Sequence, residues 1–135
     1  MSTPADDLKT ILEDKGVATF KKDMFVAKEP ADPHDVITLY DTGGFPPNPK
    51  HPKGQPTVMV RVRNTGYKDG YAKAREVKDA LLGLPKQDIN STTYVGVWME
   101  GDIGFVRYDD SDRAIFTMNF RVSREPPASG NRKEV

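Results

Sequence analysis

From Pro56 to Arg63 the apolar residues Val58, Val60 and Val62 alternate with Met59, Arg61 and Arg63. A period of two predicts a half-buried strand with a valine face inward and an arginine face outward. Asn64, Thr65 and Gly66 break that period, and Tyr67, Tyr71, Ala74, Val77, Leu81 and Leu84 follow at spacings of three and four. They gather on one side of a helix, with Glu76 and Asp79 on the other, and Gly83 and Pro85 end it near residue 83. The two elements need a common apolar layer, which predicts a sheet with helices on one side.

Upstream, Thr3 and Pro4 with Asp6 and Asp7 make a helix start: a hydroxyl cap, a proline at the first position and carboxylates at the positive end of the dipole. Leu8, Ile11 and Leu12 give this helix, about residues 4–15, its apolar stripe, and Gly16 closes it. Val17 to Ala27 reads as an extended segment interrupted by Lys21 and Lys22. Glu29 to Asp35 holds two prolines and forces a turn before a strand from Val36 to Tyr40.

Asp41 to Pro56 carries five prolines and three glycines in sixteen residues, which predicts a long loop with neither helix nor ladder. Such a loop is a candidate contact surface. After the central helix, Lys86 to Thr93 reads as a polar connection. Tyr94 to Met99, Gly104 to Tyr108 and Ala114 to Val122 read as three strands of a meander, the last with Phe116, Met118, Phe120 and Val122 on one face. From Ser123 the apolar period stops, and a disordered tail is expected over 123–135.

The fold class expected is therefore α+β in a single domain, 1–135: a mixed, mostly antiparallel sheet with an N-terminal helix and a central helix packed on one face. At 135 residues one core suffices. Twenty basic and twenty acidic residues cancel, so no global basic field recruits nucleic acid. With no cysteine there is no disulfide, thiol nucleophile or thiolate metal site. The N-terminal residues resemble neither a signal nor a transit peptide, and no run of about eighteen apolar residues occurs, which leads to the expectation of a soluble protein kept on the cytoplasmic side.

Chemistry finds few candidates. Asp109, Asp110 and Asp112, with Asp102 nearby, lack the glycine and terminal glutamate of a calcium loop. His34 and His51 sit beside prolines with no cysteine or second histidine near them. Gly43 and Gly44 followed by Lys50 and Lys53 lack the ending of a phosphate loop, and Glu76 with Lys78 fall on opposite sides of a helix, away from the one-strand geometry of a metal nuclease. Serines lack a nucleophile-elbow context. No catalytic, cofactor or metal residues are expected. What stands out are outward features: Arg61 and Arg63, Asn119 and Arg121, and the proline loop.

The succession DVITLYDTGGFPPNP, PTVMVRVRNTGYKDGYAKAREVKDALLG and GFVRYDDSDRAIFTMNFRVSREP resembles the tail terminator (tail completion, minor capsid) family of long-tailed bacteriophages, over about residues 6 to 126. The resemblance implies a non-enzymatic virion protein at the head-proximal end of the tail, assembled in the host cytoplasm. It forms a ring, expected to be a hexamer, that stops tail-tube polymerisation and offers a surface for head joining. Its implied partners are further copies of itself, the tail tube protein and a head completion or connector protein, with DNA only passing through the lumen and no membrane. Asp41, Thr42, Gly43, Gly44, Phe45, Arg61, Arg63, Arg113, Asn119 and Arg121 are the candidate ring or partner contacts, with Arg61, Arg63 and Arg121 pairing acids on a neighbour. Another head-to-tail connector of the same fold, a small metal-dependent hydrolase and a monomeric regulatory domain stay open as alternatives.

Overall fold

A computed structural model describes residues 3–45 and 55–125. His51, Lys50 and Lys53, and residues 126–135 of the expected tail, lie outside the described residues.

Helix α1 (Pro4–Asp14) starts at Thr3, whose Oγ1 accepts from the Asp6 amide at 3.2 Å while the Asp6 carboxylate receives the Thr3 amide at 3.3 Å. This reciprocal capping box satisfies two of the amides that a helix start leaves without partners. The second helix, α2 (Tyr67–Leu82), follows Gly66 and ends at Gly83. Ala74, Val77 and Leu81 of α2 and Leu8, Ile11 and Leu12 of α1 are buried, as the apolar spacing requires.

Among the described residues seven strands form one sheet: β1 (Met24–Val26), β2 (Val36–Phe45), β3 (Gln55–Asn64), β4 (Gln87–Ile89), β5 (Thr92–Met99), β6 (Gly104–Tyr108) and β7 (Ala114–Glu125). Their order is β1-β2-β3-β7-β5-β4, with β6 also on β7. Only β1 with β2 is parallel. Both helices pack on one face, α1 over β1, β2 and β3, and α2 over β3, β5 and β7. The architecture is thus the α+β arrangement expected from the hydrophobic pattern.

Register aligns the core. Ile37, Leu39, Val58, Val60, Val62, Phe116, Met118, Phe120 and Val122 fill the layer beneath the helices. Phe116 and Phe120 are among the largest fully buried side chains, and each contributes about 1.5–3 kcal/mol through apolar burial. The opposite face carries Val36, Arg63 and Ile115 in one row, Thr38, Arg61 and Thr117 in the next, and Tyr40, Met59 and Asn119 in a third.

Several expected boundaries need correction. The presumed loop begins inside the sheet: β2 continues through Phe45, and Gln55 and Pro56 already belong to β3. A bulge between Asp41 and Gly43, with Gly43 at φ +96°, lets the glycine-rich strand bend without losing its pairing. Pro56 is tolerated because the pairing of β3 with β7 begins only at Thr57, so this end of β3 has one neighbour.

The final three strands are no simple meander. β7 lies centrally, and β5 and β6 lie end to end along it, β6 against Ala114–Thr117 and β5 against Phe120–Glu125. β7 also runs three residues past the end of its apolar alternation, with Ser123 buried. The polar connection after α2 holds β4, joined to β5 by a two-residue turn in which Asn90 and Ser91 have φ of 51° and 70°. Positive φ at both central positions is the geometry that matches a hairpin's twist.

Candidate interaction surfaces

The arginine face of β3 does not face solvent as its alternation suggests. The Glu29 to Asp35 turn folds across it, and Arg63 is only 3% exposed. Its Nη1 lies 3.2 Å from Glu29, its Nε donates to the His34 carbonyl at 3.1 Å, and its Nη2 donates to the carbonyls of Pro33 at 2.7 Å and Ala31 at 3.2 Å. Prolines 30 and 33 hold that turn away from any ladder, so its carbonyls need donors from elsewhere, and a planar guanidinium supplies several at once. Arg61, half-buried, has Nε 3.1 Å from the same Glu29 carboxylate, an ion pair whose angle falls short of a hydrogen bond.

Arg113 repeats the arrangement one strand away. It donates to Asp109 at 2.8 Å and to the Ala31 carbonyl at 3.0 Å, and its Nη1 lies 3.3 Å from Nδ1 of His34. The carboxylate of Asp109 also accepts the amides of Ser111 and Arg113, and these contacts, the Arg113 amide first, hold its pKa below the usual aspartate range. The acidic turn is therefore a self-capped hairpin end. The outward placement expected for Arg63 is corrected: its guanidinium, like that of Arg113, holds its own chain together.

The remaining candidates are spread across one end of the sheet. Asp41 is exposed, yet its Oδ1 accepts the Ala5 amide at 2.9 Å and ties β2 to the start of α1. Thr42 and Thr57 share a hydroxyl hydrogen bond of 2.7 Å across the bulge at Gly43. Gly44 and Phe45 pair in the ladder with Pro56 and Gln55. Asn119 is exposed, and Arg121 is stacked 6.0 Å from the Trp98 ring with Nη1 3.8 Å from Glu100. Register puts Trp98 directly beside Arg121, and Trp98 is 47% exposed.

Two surfaces escaped the reading of the sequence. Beside the N-terminus of α2, Tyr67 and Phe105 meet edge-on at 5.2 Å over buried Phe116, and Tyr71 joins them. Tyr67 and Tyr71, expected among the buried residues of the helix, are 47% and 42% exposed. The adjacency of Phe105 and Val106 was the available signal, since neighbours in a strand lie on opposite faces and cannot both be buried at a sheet edge. At the other end of the sheet, Phe20, Phe25, Val26 and Pro30 line an open groove beside β1.

Among the described residues no group of acids and histidines is arranged to hold a metal ion. No helix among them is long and apolar enough to cross a membrane.

A sheet with one helical face and broad exposed polar and aromatic surfaces defines a protein of interfaces. The model of a family described as bacteriophage tail terminator protein matches residues 11–126, and the chain belongs to that family. It is a structural protein of the phage virion tail. A chain of a solved structure titled "Virion of native gene transfer agent (GTA) particle" shares the fold at a TM-score of 0.70 and 16% identity, over 91% of this chain and 95% of that one. No curated protein matches the sequence.

Proposed function

We propose that the protein caps the tail tube as a ring of identical copies, ends tube polymerisation and presents the surface to which the head joins. The family match across residues 11–126 carries this reading. The fold shared with a chain of a gene transfer agent virion supports a place in a particle of this kind. The function is mechanical and needs no catalysis. A head-to-tail contact that closes on itself makes a ring, and the rings of the tube below meet it by matching symmetry. Its partners are then other copies, the tail tube protein and a head completion or connector protein. DNA passes through the lumen without tight binding, for which a formal net charge of zero is suited.

Of the candidate contacts, the exposed group Asp41, Thr42 and Gly43 with Asn119 and Arg121 remains proposed for an end surface that meets a partner ring. Arg61 is proposed only as a contributor at its margin. Arg63 and Arg113 are not proposed, because their donors serve the 29–35 turn.

The test adds the purified chain to polymerising tail tube protein. The expected result by electron microscopy is shorter tubes with a ring at one end. Tubes that grow to unchanged length, with the chain bound instead to head connector rings, would replace this role by that of another connector of the same fold.

A further inference from the structure

The two ends of the sheet carry surfaces that differ in shape and in charge. On β6, Phe105 and Tyr108 meet edge-on at 5.2 Å and are 41% and 51% exposed, and Val106 between them is 49% exposed. Immediately beyond, Asp110 and Asp112 are exposed and have no ion-pair partner among the described residues. Arg113, next to Asp112 in the chain, is already taken by Asp109 and the Ala31 carbonyl. Arg107 pairs with Ile115 and so lies on the other face from Phe105 and Tyr108.

At the β1 end the open groove has Lys21 and Lys28 in its lining. Lys9 and Lys21 stand 4.3 Å and 5.7 Å from the centroid of the Phe20 ring, and Lys22 is exposed on the same turn. Three carboxylates nearby have partners within the chain: Glu29 with Arg61 and Arg63, Glu13 with the Phe20 amide, Asp23 with the Thr19 amide.

We propose that these surfaces are the two halves of one joint between copies of this chain. The Phe105 to Tyr108 edge of one copy seats in the Phe20 and Phe25 groove of the next, with Asp110 and Asp112 against Lys21 and Lys28. Charge selects this pairing. Two β6 edges meeting each other would set aspartates against aspartates, and two grooves would set lysines against lysines, both repulsive. Joining unlike ends leaves any unclosed row of copies with one free edge and one free groove, so the contact repeats until a ring closes. The inference rests on the ring reading above and names the side contact that such a ring needs.

Two charge-reversed chains test it: Asp110→Lys with Asp112→Lys, and Lys21→Glu with Lys28→Glu. All four positions are exposed, so both chains are expected to fold, checked by circular dichroism. In sedimentation velocity the unaltered chain self-associates, and each variant alone is weakened by about tenfold or more. An equimolar mixture of the two regains the large species, because every joint in an alternating ring is again complementary. Variants that associate like the unaltered chain, a mixture that stays dissociated, or an unaltered chain that is monomeric at every concentration would each overturn the joint. Tube capping is scored separately. Capping lost while association persists removes the cap and leaves the joint. Capping by a chain whose association ignores these four charges does the reverse.

Discussion

Tyr94 on β5 donates its phenol hydrogen to the fully buried carboxylate of Asp7 in the first turn of α1. Asn90 donates to the other oxygen of that carboxylate at 2.7 Å, so the β4–β5 hairpin is locked to the N-terminal helix through one acid. Burial, and then the Asp7 carboxylate, push the Tyr94 pKa upward. The folded chain therefore keeps the phenol proton where an unfolded tyrosine, with a pKa near about 10, releases it. Stability from this group is complete below that pH and declines as pH rises above it. Tyr94→Phe is expected to cost about 1–3 kcal/mol at neutral pH, since it removes a phenol donor from a buried carboxylate. It also flattens the alkaline decline, leaving the part due to Tyr40, whose pKa burial likewise raises. Urea unfolding at neutral and alkaline pH measures both effects.

Arg63 and Arg61 share Glu29 but not its burial. Arg63→Ala takes the guanidinium donors from the Pro33 and His34 carbonyls and removes one of the two cations beside Glu29 in a covered site, and is expected to lose about 3–5 kcal/mol. Arg61, with its side chain 25% exposed, is expected to lose about 1 kcal/mol or less on the same change. Denaturant midpoints of the two variants should therefore separate clearly. Equal losses would show that the 29–35 turn does not depend on Arg63.

Gly70 inverts the usual rule for helices. Alanine in a helix interior is ordinarily favoured over glycine by about 1 kcal/mol. Here a Cβ would stand 2.7 Å from the ring of Phe116 and 3.1 Å from Cβ of Asn64. Phe116 is fully enclosed and cannot move aside. Gly70→Ala is expected to destabilise by about 1–3 kcal/mol through overpacking, read as a lowered thermal midpoint.

The hairpin end at Asp109 predicts an acid response. Its pKa is depressed in the folded chain, chiefly by the Arg113 amide, so its stabilisation is present above the unfolded aspartate value, about pH 4, and fades as pH falls below it. Asp109→Asn should be less stable than the unaltered chain at neutral pH, and the difference should shrink in acid. Thermal unfolding from pH 7 down to pH 2.5 checks the convergence.

Helix α2, strand β3 and the inward face of β7 were legible because their apolar periods are long and uninterrupted. The strand order was not, because nothing local in Ala114 to Glu125 indicates insertion between β3 and β5. β4 is three residues long, too short to show a period, and only its Asn90-Ser91 turn marks it. The alternation of Arg63 with Val62 correctly assigned the faces, but a polar face is not always an open one. Its partners lie 29 to 32 positions away in the carbonyls of a turn, beyond any local pattern. The aromatic edge at Phe105 and Tyr108 was not legible because a strand of five residues shows no sustained period to tell which face is covered.

β7 occupies the middle of the sheet although it comes last in sequence among the described strands. Until Glu125 has been synthesised, β1-β2-β3 and β4-β5 are two separate ribbons without the strand that joins them. Long-range pairing of this kind is slow to form and leaves strand edges uncovered in the meantime. A copy that lacks β7 has no continuous sheet between its β1 edge and its β4 edge, so the two edges are held at a fixed spacing only once that strand is in place.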